Sequence, residues 1–179
     1  EPLRLFTPQE VEEATDECEH HLATHGCCLI REAVPSACCE RLAHFVDAAL
    51  AAAEHEIAAA LPGEEGELLA ERHFGNVRCR QHRRDLKLPL EPEVSEVLGS
   101  LVASARGVLE QRASSEGRLV ELACLISDPG ASPQALHPDT PWSACAGGCA
   151  PLLTAFLALQ RITPEMGRPP PVRPTSPSL

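Results

Sequence analysis

Tyrosine is absent from this 179-residue chain, and the remaining aromatics are four Phe and one Trp. The 44% hydrophobic share flatters the interior, because 25 of those residues are alanine. Leu, Val, Ile, Phe, Met and Trp together number 44, enough for one modest core and not for two, so a single domain is expected. Basic side chains are also in deficit, 15 against 26 acidic, for a net charge of −11. That balance argues against a nucleic-acid binder, which needs a basic face. Long apolar runs are missing as well. The stretch 50–61 is interrupted by Glu54, His55 and Glu56, and 151–159 falls short of the roughly 18 residues a membrane span needs. A Gly-rich phosphate loop, a nucleophile elbow and a C-x-x-C redox motif are all lacking, which removes the commonest signatures of nucleotide, acyl-transfer and dithiol chemistry.

Cysteine, by contrast, is plentiful: nine residues, an odd number, with Cys27-Cys28 and Cys38-Cys39 adjacent in sequence. Vicinal side chains point in different directions in regular structure, so these pairs are poor disulfide candidates. Free, mostly buried thiols in a reducing intracellular compartment are expected. Glu1 is not an initiator methionine, and any leader is expected to have been removed or trimmed.

Thr7-Pro8-Gln9-Glu10 opens a helix with an N-cap, a proline at the first position and a glutamate that closes a capping box. Val11, Ala14, Cys18 and Leu22 follow at helical spacing, and Gly26 supplies the left-handed stop. Residues 27–30 read as a short strand. Val34-Pro35-Ser36 starts a longer helix with Leu42, Phe45, Val46, Ala49, Leu50 and Ile57 on one face, ending at Pro62-Gly63. Residues 62–85 read as a polar loop with a basic second half: Arg72, Arg78, Arg80, Arg83, Arg84 and Lys87, with His73 and His82. Such a loop either offsets an acidic protein or forms a rim for an anionic ligand. Glu91-Pro92 begins a third helix carrying Val94, Val97, Leu98, Leu101, Ala105, Val108 and Leu109.

Beyond Gly117 the pattern changes. Residues 119–126 are almost continuously apolar, as in a strand buried on both faces. Ser127-Asp128-Pro129-Gly130 is a turn. Residues 151–162 read as another strand, because a run without a polar face does not suit a surface helix. Leu119, Leu122, Cys124, Ile126, Leu153, Phe156 and Leu159 are expected to form the sheet core beneath Val97, Leu101 and Leu109. From Arg168 onward prolines dominate, so 168–179 is expected to be a disordered or extended tail.

Chemistry centres on His137-Pro138-Asp139. Side chains two residues apart on an extended segment project to one side. With a second histidine from a distant strand, this pair would complete the 2-His-1-carboxylate face that binds non-haem Fe(II). Three stretches carry a resemblance: Phe6-Thr7-Pro8-Gln9-Glu10-Val11 through His25-Gly26-Cys27-Cys28-Leu29-Ile30; Leu136-His137-Pro138-Asp139-Thr140-Pro141-Trp142; and Thr154-Ala155-Phe156-Leu157-Ala158-Leu159-Gln160 with Thr163-Pro164-Glu165-Met166-Gly167. In this order they resemble the phytanoyl-CoA dioxygenase family of Fe(II)/2-oxoglutarate oxygenases. The resemblance implies an α+β fold, with N-terminal helices packed on a double-stranded β-helix of jelly-roll or cupin type, over residues 1–167. It implies His137 and Asp139 as iron ligands, with Trp142 and Thr154 as substrate-side candidates.

The chain also departs from that family. The resemblance calls for a distal iron histidine and a 2-oxoglutarate-binding arginine after the turn at Gly167. Here Arg168-Pro169-Pro170-Pro171 follows, His137 is the last histidine, and Arg168 and Arg173 lie in the proline-rich stretch. That stretch reads as an alternative ending, from splicing or a shifted frame. The expectations are therefore an incomplete barrel, a vestigial or weak metal pair, no catalytic residue and neither iron nor 2-oxoglutarate bound. A half-built sheet exposes strand edges and apolar surface, so protein partners in a larger assembly are expected. The rival expectation is a hydroxylase of an apolar or acyl substrate with a third ligand from His73 or His82. Cys145 and Cys149 beside His137 are either zinc ligands or thiols of a glycine loop, with the latter favoured. His20, His21 and His25 are expected on a solvated helix face, although His21 and His25 are one turn apart.

Overall fold

A computed structural model describes residues 2–60, 63–76, 81–113, 117–135, 137 and 152–163. Over these described residues the fold is α+β, six helices with two small two-stranded sheets. Strand β1 (Leu5–Phe6) pairs in parallel with β2 (Leu29–Ile30), Leu5 opposite Leu29 and Phe6 opposite Ile30. Alternation along β1 sends Phe6 inside, fully buried, and leaves Leu5 exposed.

Helix α1 (Pro8–Glu13) starts as its sequence requires. The Glu10 amide donates to Thr7 Oγ1 at 3.2 Å, and the Thr7 amide donates to Glu10 Oε2 at 2.7 Å. The expected single helix is interrupted at Ala14 and resumes as α2 (Thr15–His25). At the break, Thr15 Oγ1 donates to the Val11 carbonyl at 2.8 Å, a side-chain bond that competes with the helical ladder. Gly26 closes α2 in the left-handed conformation, φ 73°, and its amide donates to Leu22 O at 2.8 Å.

Helix α3 (Ser36–Ala59) presents Cys38, Leu42, Val46 and Ala53 to the main core, at helical spacing. The stretch expected to be a loop contains a further helix, α4 (Glu64–His73), and the strand β3 (Arg83–Lys87). Helix α4 has no broad apolar stripe, and Leu68 remains exposed. The His73 ring lies 2.7 Å from Glu56 of α3, and Lys87 Nζ donates to the Glu71 carbonyl at 2.7 Å. These ties to its neighbours, absent from any local pattern, hold α4 in place.

The third expected helix is also divided, into α5 (Pro92–Ser104) and α6 (Arg106–Ala113). Val94 and Val97 of α5 join the main core with Val34, Cys38, Leu42, Val46, Ala53 and Leu86. Val108 of α6 instead joins Phe6, Val11 and Cys18 in a second cluster, flanked by Leu22, Cys28 and Ile30. Gly107 permits this docking. A Cβ there would stand 2.5 Å from Thr15 Oγ1 and 3.2 Å from the Val11 carbonyl oxygen.

Strand β4 (Ala123–Ser127) pairs antiparallel with β3, from Arg83 opposite Ser127 to Lys87 opposite Ala123. It is shorter than the expected strand and only half-buried, with Leu125 48% exposed. Leu122, Cys124 and Ile126 do pack on the main core, whereas Leu119 is 56% exposed. The expected strand at 151–162 does not form over the described residues 152–163. Leu157 and Leu159 reach the main core, but Phe156 is 81% exposed and is not a core side chain. Without a neighbouring strand among the described residues to pair its backbone, an apolar run alone does not make a sheet member. Among the described residues no helix is long and apolar enough to cross a membrane.

Candidate functional site

The segment that leads from β4 to His137 is held by the paired arginines at the start of β3. Arg83 is buried, 5% exposed; its Nε donates to Ser127 Oγ and its Nη2 to the Ser132 carbonyl, both at 3.0 Å. Arg84 faces the other way, pairing with Glu54 of α3 and donating to Asp128 Oδ2 at 2.6 Å. The Asp128 amide donates to the His82 carbonyl at 2.9 Å, and the Ala131 amide to the Asp128 carbonyl at 3.2 Å. The turn is therefore Asp128-Pro129-Gly130-Ala131, one residue later than expected because Ser127 ends β4, with Gly130 at φ 95°.

Part of the basic stretch has internal acidic partners: Arg84 meets Glu54 and Asp128, and Arg72 and His73 lie against Glu56, at 3.7 and 2.7 Å. Arg83 and Lys87 instead bond Ser127, Ser132 and the Glu71 carbonyl. Arg78 and Arg80 lie outside the described residues.

His137 is half-buried, and its Nδ1 lies 2.7 Å from the Ala135 carbonyl oxygen, to which it donates, fixing the ring's orientation. Asp139 and Trp142, and likewise Cys145 and Cys149, lie outside the described residues. Thr154 is exposed on the 152–163 segment. Of the two candidate third ligands, His73 is engaged with Glu56, whereas the ring of His82 lies against the turn, 3.8 Å from where a Gly130 Cβ would stand. Among the described residues no group of three or more His, Cys, Asp or Glu side chains could hold a metal. Neither a family model, a curated protein nor a solved structure matches the chain.

Two features lay beyond local sequence reasoning. Asp85, Lys87, Glu71 and Glu121 line a cleft of about 650 Å³ beside Phe74, Gly75 and Asn76. Burial, and then the charge of Glu121, push the Asp85 carboxyl above its ordinary range. The only local signal is the alternation Arg83, Asp85, Lys87 along β3, and Glu121 comes from a distant part of the chain. The other feature is His21, expected in solvent but 7% exposed. Its Nε2 accepts the Arg4 amide at 3.2 Å, its ring meets Phe6 edge-on at 5.6 Å, and the His25 ring lies 4.2 Å away.

Proposed function

We propose that this chain is a degenerate relative of the phytanoyl-CoA dioxygenases, inactive as an oxygenase and working as a structural or interaction subunit of a larger assembly. The observation that carries this reading is the donor set. The resemblance supplies His137 and Asp139 as two points of a facial site, and Arg168-Pro169-Pro170-Pro171 follows Gly167 directly, in place of the segment the resemblance calls for there. Two protein donors hold a divalent ion less firmly than three, so His137 and Asp139 by themselves do not fit a catalytic iron. In the complete family, Fe(II) with 2-oxoglutarate would supply oxygen activation for hydroxylation of an apolar or acyl substrate.

Exposed apolar side chains support the subunit role. Leu119 and Val120 precede β4, Leu152, Phe156 and Ile162 lie on the later segment, and all are at least half exposed. β4 has no second strand neighbour among the described residues, so its outer edge offers backbone groups to a partner. The acidic balance favours protein over nucleic acid as that partner. The fold assigned to residues 1–167 in this reading is an incomplete double-stranded β-helix. Six described cysteines are free thiols, which supports a reducing intracellular compartment.

Metal analysis after Fe(II) loading, together with 2-oxoglutarate turnover, tests the first half of the proposal. Iron well below one equivalent and no succinate are expected; stoichiometric iron with uncoupled succinate formation overturns it. Light scattering tests the second half. Association of the isolated chain, or protection of 152–163 by a partner, is expected; a stable monodisperse monomer with no such protection overturns it. The rival reading is an Fe(II)/2-oxoglutarate hydroxylase with His73 or His82 as third ligand, and the engagement of His73 with Glu56 leaves His82 as its candidate. In that case His82→Ala would abolish both iron binding and succinate formation.

A further inference from the structure

His21 is the one histidine buried among the described residues, and it stands outside the His137–Asp139 pair. Its Nε2 accepts the backbone N–H of Arg4, 17 positions away in sequence, at 3.2 Å. An accepting ring nitrogen carries no proton, so the resting ring is neutral with its hydrogen on Nδ1. Phe6 meets that ring edge-on at 5.6 Å. The His25 ring, one turn further along α2, lies 4.2 Å away, and its own Nε2 is buried without a partner among the described residues. Strand β1 is thus tied down on both sides. The Arg4 amide binds it to His21, and the Arg31 amide donates to the Phe6 carbonyl at 2.8 Å.

We propose that His21 is an acid-operated latch on β1. A proton at Nε2 removes the acceptor and sets N–H against N–H, so the Arg4 amide loses its partner and β1 spends more time detached from α2. Detachment withdraws Phe6 from the cluster it shares with Val11, Cys18 and Val108, while the helices stay packed.

The charged groups around the ring do not replace the lost bond. From the β1 segment, the Arg4 guanidinium lies 4.7 Å above the Phe6 ring centre. Glu10 of α1 holds that guanidinium at 3.0 Å, and Glu17 of α2, one turn before His21, holds it as well. From α6, Arg112 is paired with Glu19, and Cys28 and Arg31 flank β2. An imidazolium that stays beside Arg4 meets like charge. One that turns to Glu17 competes with Arg4 for that carboxylate and leaves the Arg4 amide all the same. Either course frees β1. His25 is the alternative home for the proton, but its Nε2 holds nothing in place, and two cationic rings this close repel each other.

The test follows the whole chain by NMR from about pH 7.5 to about pH 5.5, across the range in which histidines charge. Glu10, held below its ordinary 4.5 by Thr7, is ionised throughout. The Arg4 and Arg31 amides should exchange about tenfold faster at the lower pH, after correction for the intrinsic pH dependence of exchange. The midpoint should match the titration of the His21 ring signal, and α3 amides should keep their protection. His21→Gln supplies an uncharged acceptor, so its Arg4 and Arg31 amides should be equally protected at both pH values. His25→Gln should still respond to acid. Unchanged protection in the wild type, the same loss in His21→Gln, no response in His25→Gln, or equal loss throughout α3 would each overturn the proposal. Should either variant fail to fold, the wild-type midpoints decide: Arg4 exchange must follow the His21 ring and not the His25 ring.

Discussion

Phe6 and Phe156 are the same side chain in opposite circumstances: one is fully buried and the other is 81% exposed. Phe6 sits on a strand whose partner, β2, is tied to it by backbone pairing, and it is followed at once by a capped helix. Phe156 sits on a more apolar stretch with no pairing partner among the described residues. Apolar identity decides how much can be gained by burial. Backbone hydrogen bonding decides whether the chain can collect it.

The largest expected effect breaks this comparison directly. Phe6→Ala should cost about 3–5 kcal/mol in denaturant unfolding, whereas Phe156→Ala should change stability by about 0.5 kcal/mol or less. Equal costs would mean that 152–163 belongs to the core after all. Gly107→Ala comes next, at about 1–3 kcal/mol, because the new methyl would overlap Thr15 Oγ1. Adding Thr15→Ala should restore part of that loss, and a failure to do so would place the clash at the Val11 backbone. Thr7→Ala should cost about 1 kcal/mol through the lost cap. Thr7, by backbone and then side-chain hydrogen bonds, holds the Glu10 carboxyl below its ordinary 4.5. That contribution is complete above pH 4.5 and is lost as the pH falls through the lower folded value. Alanine keeps the backbone bond and loses the hydroxyl bond, so the wild-type advantage over Thr7→Ala should shrink on acidification only by the side-chain share. Asp85→Asn is the smallest effect and has the opposite sign. Because its folded value is raised above 3.8, ionised Asp85 weakens the fold near neutral pH and not well below 3.8. The Asn variant should melt slightly higher near neutrality and show no advantage in acid.

The same contrast explains what could be foreseen from sequence. Thr7-Pro8-Gln9-Glu10, Gly26 and Glu91-Pro92 act through neighbours a few residues away and appear where expected, and the turn after β4 comes one residue later than expected. Helix α4 escaped notice because its supports, Glu56 and Lys87, come from other elements. The breaks at Ala14 and Ala105 escaped for the same reason. Periodicity continues through both, and the choice between one helix and two rests on the docking of Gly107 against Thr15. His21 reads as polar surface until Arg4 and Phe6 give it partners. Of the candidate site, His137 is placed with an anchored ring and Thr154 is exposed, while Asp139 and Trp142 fall outside the described residues. The buried anchor Arg83 is visible in sequence only as one more basic residue in a basic stretch.

The division at Ala105 has a mechanical consequence. α5 is seated in one apolar cluster and α6 in the other, and Ser104 Oγ at the junction donates to the Ala33 carbonyl at 2.6 Å. The join is only a residue long, too short to absorb strain as a flexible tether would. Slack in either cluster is therefore handed to the other as a tilt of the adjoining helix. Two small interiors, each marginal on its own, share one load and should give way in a single cooperative step.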